Sequence, residues 1–147
     1  MSDRTPSDQR AREASATATG PGRVLITVYG VFTVAAGARS AVQLATRFDE
    51  APLAYVLSAV AAMIYLVATV ALAVSTPRSR RIAAASCLIE LVGVITVGTY
   101  SLLDPSRFPD QTVWSVYGQG YGFVPLVLPM IGLLWLRRSA ARTRTGS

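Results

Sequence analysis

Two ionisable residues, Arg39 and Glu90, stand inside long apolar runs, residues 24–46 and 82–102. An isolated charge in the middle of a bilayer costs about 2.5–3.5 kcal/mol on insertion scales, so each needs a partner, water or a neutral form. Arg39 lies roughly 10 Å from the outer end of its run and Glu90 roughly 12 Å from the inner end of its own, taking a rise of about 1.5 Å per residue. Across a hydrocarbon core about 30 Å thick, that leaves roughly 8–9 Å of depth between them. Helical side chains lean toward the helix N-terminus, which brings Arg39 toward the level of Glu90 but moves Glu90 away, so a direct pair needs tilt. A direct Arg39–Glu90 ion pair is therefore the weaker expectation.

Other polar residues match each group in depth. Arg39 is level with Gln119 and near Tyr117, Tyr121, Thr96 and Ser58, and Gln43 follows one turn later on the same face. Glu90 is level with Tyr65, Thr69 and Thr33. The candidate intramembrane polar cluster is thus Arg39, Gln43, Tyr65, Glu90, Thr96, Tyr117, Gln119 and Tyr121. In one reading the cluster is a ligand or proton site. In the other it is interhelical hydrogen-bonded glue, with Arg39 snorkelling outward. The second is preferred, because four helices enclose little space for a substrate. Close by, Gly118-Gln119-Gly120-Tyr121-Gly122 precedes Pro125 and Pro129. Each proline removes a helical hydrogen bond, so this stretch is read as a kinked span, with residues 113–121 lying along the outer surface as the alternative.

Absent residue types remove several chemistries. With no histidine, the commonest zinc or haem ligand and general base is missing. Cys87 is the single cysteine, so neither a disulfide nor a CxxC redox pair can form within the chain. No metal or cofactor is expected, and no nucleophile–base constellation can be assembled, so an enzyme is the weakest option. The 147 residues are 52% hydrophobic and 15% charged, against about 25% charged in ordinary soluble domains. That excludes a cytoplasmic enzyme, a nucleic-acid-binding module and a secreted disulfide scaffold.

The elements that must position the cluster are four apolar runs, residues 24–46, 53–74, 82–102 and 113–136, each long enough to cross a bilayer. Short connections force antiparallel neighbours, so the expected fold is an all-α transmembrane four-helix bundle, up-down-up-down, over residues 23–138. Residues 1–22 and 139–147 are expected to be disordered cytoplasmic tails. The first run also has features of a signal peptide, ending at Ala36-Gly37-Ala38. Apolar residues continue beyond Arg39, which favours an uncleaved span. Eleven arginines fall on one side of the four-span arrangement and only Arg47 and Arg107 on the other, so both termini are expected in the cytoplasm. Small residues at spacing four (Gly37, Ala41 and Ala45; Ala54, Ser58 and Ala62; Gly118 and Gly122) favour close helix packing, the glycine pair most informatively.

Arg39-Ser40-Ala41-Val42-Gln43-Leu44, Phe48-Asp49-Glu50-Ala51-Pro52-Leu53, Pro109-Asp110-Gln111-Thr112-Val113-Trp114-Ser115 and Gly120-Tyr121-Gly122-Phe123-Val124-Pro125 together resemble small four-span integral membrane proteins of actinobacteria. The resemblance spans about residues 24–138 and implies a bacterial cytoplasmic-membrane protein, with no catalytic motif to carry over. The expected role is a non-enzymatic accessory or interaction subunit, with the lipid bilayer, a membrane-protein partner or its own copies as partners and no nucleic acid. The alternative is a small oligomeric transporter or channel built on Arg39 or Glu90.

Overall fold

The computed structural model describes residues 5–8 and 20–145; the remainder of the expected N-terminal tail, 1–4 and 9–19, and residues 146–147 lie outside the described residues. Four long helices follow one another: α1 (Pro21–Thr46), α2 (Pro52–Val74), α3 (Pro77–Leu103) and α4 (Val124–Thr145). Each is long and apolar enough to cross a membrane, α4 over Val124–Arg142. Proline opens α1, α2 and α3 within the first turn, where its missing N–H would have had no helical acceptor.

Cross-helix contacts fix the topology. Gly30 faces Thr69 and Gly37 faces Ala62, so α1 and α2 run antiparallel. Gly132 packs on the Cys87 sulfur and Gly22 on the Trp135 ring, which sets α4 antiparallel to both α3 and α1. The bundle is therefore up-down-up-down, as expected. The α2–α3 reversal takes two residues. Ser75 adopts the left-handed conformation, and Thr76 forms a reciprocal cap with Ser79.

The distribution of side chains is inverted relative to a soluble protein. Val34, Val60, Met63, Leu88, Ile89, Val92, Met130 and Leu134 are exposed, while Tyr29, Tyr55, Tyr65, Glu90 and Ser58 are buried. Such a surface suits hydrocarbon as solvent, with polar groups satisfied inside the bundle. Much of the interior of α2 is alanine, at positions 54, 61, 62, 68 and 71. The resulting close approach leaves van der Waals packing to hold the helices together. This chain is a multi-pass membrane protein.

Several boundaries differ from the sequence reading. The fourth helix begins at Val124 rather than at 113. Arg78, Arg80 and Arg81 belong to the first turns of α3 rather than to a loop. Within the stretches expected to be disordered, residues 6–8 form a turn bonded by Thr5 to Asp8, Pro21 and Gly22 open α1, and residues 139–145 continue α4. Pro125 falls in the first turn of α4, where it costs no hydrogen bond, so only Pro129 interrupts the helix interior.

Candidate functional site: the plugged outer half and the buried carboxyl

From Val124 to Leu136 the apolar part of α4 covers only about 20 Å at 1.5 Å per residue. The outer part of the fourth column is filled by residues 112–123, which fold into the bundle as an irregular, largely 3-10 segment. Exposed non-helical backbone is not tolerated at membrane depth unless it is buried in protein and its polar groups are paired. Here hydroxyls do the pairing. The Thr112 amide donates to Ser115 Oγ, the Trp114 amide to Thr112 Oγ1, and the Val116 amide to Ser101 Oγ of α3. The Ser101 hydroxyl in turn donates to the Gly98 carbonyl.

The segment is strained as well as buried along one side. Val116, Tyr117 and Gly118 follow one another with φ of 50°, 60° and 81°. For non-glycine residues this left-handed conformation costs about 1–2 kcal/mol each, most at a β-branched valine. The surrounding structure holds it. Tyr117 lies against Gly98 so closely that a Cβ there would come within 2.5 Å of the ring and 2.8 Å of the Tyr117 nitrogen. Gly118 packs on Pro125. Gly118 and Gly122, expected as a helix-packing pair, instead turn the chain at positive φ, which a side chain would resist.

Trp114 carries the segment deepest. Its indole is buried, stacks where a Cβ on Gly93 would be 2.7 Å away, and donates its N–H to Tyr65 Oη at 2.8 Å. Its ring is a wedge between α2 and α3. Around it, Tyr65 contacts Tyr29 and Phe32, and Phe32 contacts Tyr121.

The expected polar cluster divides into separate groups. In the outer group Arg39 donates to Tyr121 Oη at 2.9 Å and lies 3.7 Å from the Asp110 carboxylate. Asp110 also accepts from Gln43 at 3.3 Å and from Tyr55 Oη at 3.1 Å. One loop carboxylate thus gathers α1 and α2, and Arg39 extends the group to Tyr121 of the plug. Neither Asp110 nor Tyr55 was among the sequence candidates. The Arg39 and Asp110 side chains keep 41% and 37% of their surface exposed, so this is an ion pair at a rim rather than a sealed one. Tyr117 bonds to Thr99 instead of Arg39. Gln119 and Thr96 are exposed and join neither group.

The second group lies deeper. Glu90 is fully buried and accepts a 2.7 Å hydrogen bond from Tyr29 at Oε2, while the Tyr29 hydroxyl also sits 3.4 Å from Cys87 Sγ. Glu90 Oε1 has no hydrogen-bond partner. Arg39 and Glu90 are not paired, because Asp110 descends to meet the arginine. Thr33 and Thr69, level with Glu90, approach each other at 3.4 Å and donate to their own helices.

Above the bundle, Asp104 accepts from Ser106 and from Arg107, and these hydrogen bonds hold its carboxyl below the usual aspartate range. Comparison with known protein families, with curated proteins and with solved structures finds no match to this chain.

Proposed function

We propose that this chain is a non-enzymatic accessory subunit of a bacterial cytoplasmic membrane, with both termini on the cytoplasmic side, which presents a rigid outer cap to a larger membrane protein. The observation that carries the reading is the locked plug. Trp114 and Tyr117 meet α3 at two glycines with no room for a methyl group, and the outer polar groups are bonded to one another across α1, α2 and the plug. A strained segment held this firmly is a preorganised surface rather than a moving gate. Its free face offers Gln111, Gln119 and Phe123, and Phe48 of the α1–α2 loop is exposed as well. The arginine asymmetry and the resemblance to small actinobacterial four-span proteins support the membrane and the orientation.

Purification in mild detergent tests the reading. A stoichiometric second membrane protein is expected, lost in Phe48→Ala and Gln119→Ala variants that keep the wild-type helical signal and thermal midpoint. Recovery of homo-oligomers alone would overturn it.

One observation favours a second reading, a small proton- or cation-coupled carrier: the buried Glu90 Oε1 without a partner. Proton flux into liposomes containing the wild-type protein, absent in Glu90→Gln, would establish the carrier and displace the accessory role.

A further inference from the structure

The arginine-rich end of the bundle holds a groove of about 780 Å³ between the start of α3 and the end of α4. Its rim carries Arg80 and Arg81 from α3 with Arg137 and Arg144 from α4. Its floor is apolar, made by Ala84, Leu133 and Leu136, and among the described residues no acidic side chain lines it. We propose that this groove is a binding site for an anionic phospholipid, its phosphate among the arginines and its first acyl methylenes on the floor.

Three features converge on that ligand. The planar guanidinium forms paired hydrogen bonds to phosphate oxygens, and arginines from two helices approach the same opening. Arg80 and Arg81 sit in the first turns of α3, where the helix dipole adds to the positive field. The apolar floor distinguishes a lipid from a free anion, because an inorganic phosphate would leave the half-buried Ala84 and Leu133 uncovered. Basic pockets between membrane helices at the level of the headgroups are suited to anionic lipid heads. The volume also falls within the range of about 300–1,000 Å³ of ordinary ligand sites. At the opposite end of the bundle Arg39 faces Asp110 and Arg107 faces Asp104.

The test is native mass spectrometry of the full chain released from nanodiscs of mixed phosphatidylglycerol and phosphatidylcholine. The wild type is expected to retain one phosphatidylglycerol in preference to phosphatidylcholine. Arg80→Gln/Arg81→Gln/Arg137→Gln should weaken retention on the order of 100-fold, at about 1 kcal/mol per arginine near a lipid surface. Exposed single changes, Arg81→Gln and Arg137→Gln, should each weaken it about fivefold and keep the test readable if the triple variant folds poorly. Arg47→Gln/Arg107→Gln, at the other end, should leave retention unchanged. Equal retention of phosphatidylcholine, equal loss in the Arg47/Arg107 variant, or full displacement by millimolar inorganic phosphate would each overturn the proposal, the last by revealing a free-anion site.

Discussion

The indole nitrogen of Trp114 donates to the hydroxyl of Tyr65 at 2.8 Å, fastening a loop residue to the middle of a membrane helix. Both groups are buried. Removing one partner leaves the other unsatisfied, at about 1–3 kcal/mol. Trp114→Phe and Tyr65→Phe should each destabilise the bundle by that amount. The double variant should cost less than the sum, since it abandons donor and acceptor together. Unfolding by titration with sodium dodecyl sulfate, read as a double-mutant cycle, measures the coupling. Strict additivity would mean that the hydrogen bond contributes nothing in the membrane-mimetic state.

Glycines on α3 decide whether the plug can seat. A methyl group at Gly98 would meet Tyr117 at 2.5 Å, and one at Gly93 would meet the Trp114 ring at 2.7 Å. Overpacking of this kind costs about 1–3 kcal/mol. Gly98→Ala should be the worse of the two, because the clash includes the Tyr117 backbone. Gly37→Ala is the control. Its nearest neighbour would be Ala62 at 4.0 Å, and alanine gains up to about 1 kcal/mol of helix propensity over glycine. The expected order of thermal midpoints in detergent is Gly37→Ala at or above wild type, then Gly93→Ala, then Gly98→Ala. Equal midpoints for all three would show that the plug does not rest on α3 as described.

Much of this architecture was legible in the sequence, and the missing parts share one cause. Apolar runs announce helices, so four spans and their order could be read from residues 24–136. Runs do not announce where a helix starts. Arg80 and Arg81 are charged yet helical, because Pro77 and the Thr76–Ser79 cap set the beginning of α3. At the other extreme, residues 113–121 are apolar enough to count as membrane yet are not α-helical. The glycines and the proline at 118–125 signalled irregularity there. The inward fold depends on Gly93 and Gly98, which are distant in sequence and unremarkable by periodicity. Arg39 and Glu90 were found because a charge in an apolar run is conspicuous. Asp110 was missed because a carboxylate in a polar loop is not, although Asp110 is the acceptor that answers Arg39.

Asp110 should therefore matter more than its ion pair alone. With both side chains more than a third exposed, the Arg39–Asp110 coupling itself is expected at about 0–1 kcal/mol. Asp110→Ala also strips an acceptor from Gln43 and Tyr55, so it should cost more than Arg39→Leu, by about 1 kcal/mol. Arg39→Lys should fall between wild type and Arg39→Leu, since an ammonium lacks the fork that reaches Tyr121 and Asp110 together. Denaturant titration of the three variants sets the order. An Asp110→Ala variant as stable as wild type would remove Asp110 as the hub of the outer cluster.

Tyr29 and Glu90 give the last and sharpest comparison. Tyr29 provides the hydrogen bond to Oε2 of a carboxyl whose other oxygen already has none. Tyr29→Phe would leave both oxygens of a fully buried side chain without a protein donor, so a loss of about 1–3 kcal/mol is expected. Glu90→Gln should be far milder, because an amide oxygen can still accept from Tyr29 and no charge can form. Glu90→Leu removes the polar group outright, and the Tyr29 hydroxyl keeps the Cys87 sulfur nearby. It should be no worse than Tyr29→Phe. A polar group that serves only to join α1 to α3 would give this order and no other phenotype. Should Tyr29→Phe prove neutral while Glu90→Gln is strongly destabilising, the charge of Glu90 rather than its hydrogen bond would be what the bundle holds. The neighbourhood of Glu90 would then have to admit water or a cation at Oε1.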